Sequence, residues 1–142
     1  MTSLQILVVE DDPNMRAALV VALAVAGWEV VAVGTLAEAV LRVEDVDVVL
    51  LDLGLPDASG LRAVERLQPA GVPIVVLTGD DSRETLEDAM LAGADDVLHK
   101  PSPMRPIVDA LHKALYRRRV CVPVVTRAIA RGFQEWRPAI AG

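Results

Sequence analysis

Short apolar runs alternate with longer stretches in which apolar residues recur every three or four positions, from residue 4 to about residue 116. The first run, Leu4-Gln5-Ile6-Leu7-Val8-Val9, is almost unbroken and rich in β-branched residues, as expected of a strand buried on both faces. Residues 30–33, 46–51, 74–77 and the short 96–98 repeat the pattern.

The intervening stretches read as helices. Asp12 is a good N-cap and Pro13 suits the first helical position, where no N–H is needed. Leu19, Leu23 and Ala26 then recur at helical spacing until Gly27 ends the segment. Thr35 is placed to cap residues 36–43, and Ser59 to cap residues 60–67, which Gln68-Pro69-Ala70-Gly71 close early. Ser82 and Thr85 open a helix carrying Leu86, Ala89 and Met90, closed by Gly93. Pro103 begins the last one, with Ile107, Val108, Leu111, Ala114 and Leu115 on one stripe.

Five strands interleaved with five helices predict an α/β chain of (βα)5 type. Right-handed crossovers then require a parallel sheet covered by helices on both faces, a three-layer sandwich. The expected strand order is 2-1-3-4-5, in which ligands bind beyond the carboxyl ends of the strands.

That geometry gives meaning to a set of polar residues. The first strand ends in Glu10-Asp11-Asp12 and the third in Asp52, and these strands are neighbours in the expected order. Carboxylates converging on one rim must either take up protons or recruit a hard divalent cation such as Mg²⁺. The backbone carbonyl of Gly54, just after Asp52, offers a further oxygen. Asp12 is explained by its capping duty; Glu10, Asp11 and Asp52 together are not. Thr78 ends the fourth strand and Lys100 follows the fifth, directly before Pro101. A hydroxyl and an ammonium at the same rim suit a phosphoryl group, with Asp52 as the nucleophile that accepts it.

These segments resemble the receiver domain of two-component response regulators. The resemblance rests on Ile6 to Pro13, on Leu50-Leu51-Asp52-Leu53-Gly54-Leu55-Pro56-Asp57, on Val76-Leu77-Thr78-Gly79, and on residues 93–101 ending in His99-Lys100-Pro101. It covers residues 4–116 in the right order and implies a flavodoxin-like fold. It also implies that Glu10, Asp11, Asp52 and the Gly54 carbonyl hold Mg²⁺, for which Mn²⁺ can substitute. Asp52 would accept the phosphoryl group from a sensor histidine kinase or phosphotransfer protein. Thr78 and Lys100 would read it and reposition the face of the fourth helix, fifth strand and fifth helix. The implied protein is a cytoplasmic signalling switch whose only catalysis is its own phosphorylation and dephosphorylation. One position departs from the family: Val97 stands where an aromatic switch residue is usual, three residues before the lysine. A phosphorylation-independent interaction or dimerisation module is therefore the alternative.

Composition bounds these readings. The chain has 142 residues, 53% hydrophobic but only 3% aromatic, so its core is aliphatic and it lacks a surface for stacking bases. Residues 1–116 carry a net charge of −11 and residues 117–142 carry +5. The acidic body argues against direct nucleic-acid binding, which needs Lys and Arg for phosphate contacts. No apolar segment is long enough to span a bilayer and no basic leader precedes the first run. The single cysteine, Cys121, excludes an internal disulfide and fits a reducing compartment. His99 and His112 lack the spacing of metal ligands. A metal-dependent phosphatase or nucleotide hydrolase ranks low, because no Gly-rich phosphate loop is present.

The expected division is a receiver domain over residues 1–119 and a C-terminal extension over 120–142. The extension reads as helical from Pro123, with Val125, Ile129, Phe133 and Trp136 on one stripe, or as the start of a further region. It is too short for a standard DNA-binding domain. A homodimer would form through the fourth-helix to fifth-helix face or through this extension.

Overall fold

The computed structural model describes residues 3–120, so Cys121 and the stripe expected in the extension lie outside the described residues. Five parallel strands, β1 (Gln5–Val9), β2 (Glu29–Val33), β3 (Val48–Asp52), β4 (Ile74–Thr78) and β5 (Asp96–His99), form one sheet. Its order is β2-β1-β3-β4-β5, as the alternation predicts. The helices are α1 (Pro13–Val25), α2 (Leu36–Arg42), α3 (Gly60–Leu67), α4 (Arg83–Ala92) and α5 (Met104–Val120). Short 3-10 turns at Val43–Asp45 and Gln68–Ala70 prolong α2 and α3.

The period-two geometry of a strand divides the core in two. Ile6, Val8, Val48 and Leu50 point to one face, where they meet Leu19 and Leu23 of α1 and Ile107, Leu111 and Ala114 of α5. Leu7, Val9, Val49 and Leu51 point to the other, against Ala39 of α2, Ala63, Val64 and Leu67 of α3, and Ala89 of α4. Because β1, β3 and β4 are covered on both faces, they read as continuous apolar runs. Each fully buried Leu or Val there contributes roughly 1.5–3 kcal/mol.

Helix starts follow the capping chemistry. Asp12 accepts the Asn14 N–H at 2.9 Å, Thr35 accepts the Glu38 N–H at 3.2 Å, and Ser82 accepts the Thr85 N–H at 3.2 Å. At α2 the Asp57 carboxylate also accepts the Leu36 and Ala37 N–H groups at 2.9 and 3.0 Å. The loop after β3 is thereby tied to α2. Ser59 sits at the cap position of α3, but its side chain makes no capping hydrogen bond. What fits α3 in place is Gly60: a Cβ there would lie 2.5 Å from the Leu53 Cβ. Gly93 closes α4 with φ of +119°, the left-handed conformation that suits glycine.

The structure shifts several boundaries. β3 begins at Val48, opposite Ile6 of β1, and just before it the Asp47 carboxylate accepts the Gln5 N–H at 2.8 Å. α5 begins at Met104, one residue after Pro103. Ala26 and Met90 are exposed, so the buried stripes of α1 and α4 are narrower than their apolar residues suggest.

At the edge where the strands begin, Arg118 of α5 forms a clasp. Its guanidinium donates to both carboxylate oxygens of Asp95, at 3.0 and 3.1 Å, and to the Gly71 carbonyl at 3.1 Å. Asp95 in turn accepts the Ile74 N–H at 2.9 Å, which joins the end of α5 to the start of β4.

Candidate functional site

The opposite edge, where all five strands end, gathers the polar residues. Glu10 follows β1 directly, held by its N–H on the Val33 carbonyl at 3.0 Å, and it is only 1% exposed. Asp52 ends β3 and is 7% exposed, while Asp11 faces solvent. Because β1 and β3 are hydrogen-bonded neighbours, the three carboxylates offer oxygens within 4.8 Å of one another.

Lys100 reaches across from the end of β5. Its Nζ lies 2.8 Å from Glu10 Oε1 and 3.1 Å from Asp52 Oδ1. Its backbone N–H donates to the Thr78 carbonyl at 2.6 Å, so β4 fixes where Lys100 begins. Asp52 Oδ1 also accepts the Gly54 N–H at 3.1 Å, which folds the loop after β3 back over the carboxylate.

Burial and the neighbouring Asp52 push the Glu10 carboxyl up to about 7. Asp52 goes the other way. Burial opposes its ionisation, but hydrogen bonds from Glu10, the Gly54 N–H and Lys100 outweigh it and hold Asp52 below the usual carboxylate range. Burial likewise opposes the charge on Lys100, and its bonds to Glu10 and Asp52 raise it above the ordinary lysine value. The rim therefore favours the ionised form at Asp52 and disfavours it at Glu10. A hard cation is the alternative occupant for such a donor set, and three carboxylates with no nitrogen or sulfur ligand suit Mg²⁺.

Thr78 is buried at the end of β4, and its Oγ1 accepts the Asp80 N–H at 3.1 Å. A cleft of about 430 Å³ opens on this side of Asp52, lined by Gly54, Ser59, Thr78, Asp80 and Thr85 among others. The structure thus brings together every residue singled out in the sequence: Glu10, Asp11, Asp52, Gly54, Thr78 and Lys100. Asp12 stands apart as the cap of α1. His99 is exposed at the rim, and His112 is exposed on α5 with its ring 5.1 Å from that of Trp28.

One contributor escaped the sequence reading. Arg16 donates from Nη1 to the Glu10 carbonyl at 2.9 Å and to that of Asp11 at 3.4 Å, steadying the acidic turn. Its place one turn into α1, just after the acidic run, was the available signal. Asp80, which the sequence places as a charge at the start of α4 ahead of Ser82, does sit there: its carboxylate accepts the Ser82 N–H at 2.9 Å and the Thr85 hydroxyl at 2.7 Å. Val97 is buried within the core shared with α4. It is a packing residue there.

Comparison with known proteins identifies the family. The profile described as "Response regulator receiver domain" matches residues 6–112. This chain belongs to the response regulator receiver family. Among its relatives are the probable transcriptional regulatory protein TcrX of Mycobacterium tuberculosis and the swarming motility regulation protein RssB of Serratia marcescens. Each is 37% identical, over 80% and 81% of this chain respectively. The receiver spans about half the length of those two proteins, 50% and 54%. A solved CheY-like receiver from Methanospirillum hungatei superposes with a TM-score of 0.77 at 26% identity, over 83% of this chain and 98% of that one. A BeF3-activated DrrB receiver domain does so with a TM-score of 0.74 at 27% identity, over 82% of this chain and all of that one. Members of the family act in signalling. Among the described residues, no helix of the receiver is long and apolar enough to cross a membrane.

Proposed function

We propose that the protein is a phosphorylation-dependent switch whose acceptor is Asp52. The observation that carries this reading is the Lys100 ammonium shared between Glu10 and Asp52 beside the buried Thr78 hydroxyl. A carboxylate held ionised is a competent nucleophile, and the ammonium and hydroxyl flank it where a phosphoryl group would sit. In the reaction, an Asp52 oxygen forms a bond to phosphorus as the donor's phosphorus–nitrogen bond breaks. The electron pair returns to the imidazole of a sensor histidine kinase or phosphotransfer protein. Lys100 then neutralises one phosphoryl oxygen and the Thr78 hydroxyl donates to another.

Glu10, Asp11, Asp52 and the Gly54 carbonyl would hold Mg²⁺ or Mn²⁺. When bound, the ion supplies charge neutralisation for the incoming phosphoryl oxygens. The receiver domain would comprise residues 1–119, and its signal would leave through α4, β5 and α5 to a partner protein.

Incubation of the protein with Mg²⁺ and acetyl phosphate tests the reading by intact mass. A labile gain of one phosphoryl group is expected in the wild type and none in Asp52→Asn. No gain with acetyl phosphate or with any kinase would overturn it. Burial of Val97 at the usual switch position favours a second reading, an interaction module independent of phosphate. That reading predicts the same partner binding in Asp52→Asn as in the wild type.

A further inference from the structure

Receivers must carry a change at the phosphoryl site to a surface, and here Val97 is buried in the same core cluster as Ala89 and Ala94. The loop between β4 and α4 supplies a direct polar connection between the site and α4.

Three residues separate Thr78 from the α4 cap Ser82: Gly79, Asp80 and Asp81. Asp80 is bonded at both ends of this gap. Its N–H donates to Thr78 Oγ1 at 3.1 Å. Its Oδ1 accepts the Ser82 N–H at 2.9 Å and its Oδ2 accepts the Thr85 hydroxyl at 2.7 Å. Ser82 and Thr85 are themselves joined, hydroxyl to hydroxyl at 3.0 Å and Thr85 N–H to Ser82 Oγ at 3.2 Å. A continuous chain of hydrogen bonds therefore runs from the Thr78 hydroxyl oxygen to the first turn of α4. Beside it, an added Cβ at Gly79 would meet nothing within 4 Å.

The bond directions matter. Thr78 Oγ1 is an acceptor toward Asp80, so the hydroxyl proton remains available for a phosphoryl oxygen on Asp52. Thr78 can engage phosphate without releasing Asp80. Both Asp80 oxygens are committed to α4, and its hydrogen bonds to Ser82 and Thr85 hold it below the usual carboxylate range. Its carboxylate is thus engaged with α4.

Resting on the receiver reading above, we infer that Asp80 is the positioning residue that couples the Thr78 hydroxyl to the first turn of α4. It does the work that an aromatic residue at position 97 would otherwise do. When Thr78 moves toward a phosphoryl group, the Asp80 N–H follows, and the Asp80 carboxylate draws Ser82 and Thr85 with it. The α4 surface is then biased by a short polar linkage, a local bonding change read out at a distance.

Amide NMR of the full chain with Mg²⁺ and beryllofluoride, a stable stand-in for the phosphoryl group, tests this. In the wild type, the amides of residues 80–92 should shift on addition. In Asp80→Ala, beryllofluoride should still perturb the amides around Asp52 and Lys100, while those of α4 stay near their ligand-free positions. Asp80→Asn keeps an oxygen for the Ser82 N–H and should restore the α4 response, and Thr85→Val should weaken it. A wild-type α4 response in Asp80→Ala would overturn the inference. So would equal loss in Asp80→Asn and Asp80→Ala with α4 already altered before addition, since that marks a cap needed only for folding. If beryllofluoride leaves the wild-type Asp52 and Lys100 amides unmoved, the receiver reading itself fails, and this inference with it.

Discussion

Lys100 and Glu10 stand ninety residues apart in the chain and meet at 2.8 Å at the rim of the sheet. The pair is the closest ionic contact of the site, and the same ammonium extends to Asp52 at 3.1 Å. One cation therefore organises two nearly buried carboxylates.

Replacing that cation tests both its structural and its chemical work. Lys100→Met leaves Glu10 and Asp52 without their counter-charge. Full burial of a broken pair costs more, but Lys100 is 23% exposed, so a loss of about 1–3 kcal/mol is expected in Mg²⁺-free urea unfolding. Phosphorylation by acetyl phosphate should slow by about tenfold or more, because a preorganised charge on the transferring group is lost. Unchanged stability and rate would remove Lys100 from the site.

Gly60 makes a prediction about packing. A methyl group there would come within 2.5 Å of Leu53 Cβ and 2.9 Å of its Cα, and backbone cannot yield cheaply. Gly60→Ala should cost roughly 1–3 kcal/mol in urea unfolding. Because Leu53 follows Asp52, phosphoryl uptake should fall as well. A fully stable variant with normal uptake would show that α3 retreats freely from the loop.

Asp57 carries a pH dependence. Hydrogen bonds from the Leu36 and Ala37 N–H groups hold its carboxyl below the usual aspartate value of 3.8. A group lowered on folding adds stability above its unfolded value and loses it as pH falls through the folded one. Asp57→Asn should therefore be less stable than the wild type near neutrality. The gap should close as the pH drops below about 4, read by unfolding midpoints across an acid series. A gap that stays constant with pH would mean the charge on Asp57 is not what α2 feels.

In the Arg118 clasp the arginine side chain is 24% exposed and that of Asp95 13%, so solvent screens the pair only in part. Arg118→Ala should lower stability by about 1 kcal/mol. It should also speed amide exchange at Ile74 and nearby residues, since Asp95 would lose its partner at the start of β4. Exchange confined to α5 would argue that the clasp anchors the helix alone.

The sheet order and the carboxylate rim were legible because buried parallel strands write themselves as unbroken apolar runs. Residues at strand ends such as Glu10, Asp52, Thr78 and Lys100 then fall on one edge by topology. The linkages between loops were not legible. Asp57 binding α2 and Asp80 binding Thr85 depend on where loops fold back, and nothing in local spacing encodes that. Ser59 shows the opposite failure, a good capping residue whose duty is displaced by the close fit of Gly60 to Leu53. Met90, apolar and at helical spacing, faces water because α4 touches the sheet along a narrow stripe.

The direction of the strands has a practical side. Gln5 opens β1 at the edge opposite the rim, and Arg118 pins the far end of α5 to that same edge through Asp95 and Gly71. A fluorophore or immobilising tether introduced near residue 5 or near residue 118 therefore sits on the far side of the molecule from Asp52. Single-molecule and surface-capture assays built that way should leave the acceptor facing the bulk solution, open to whichever donor is supplied.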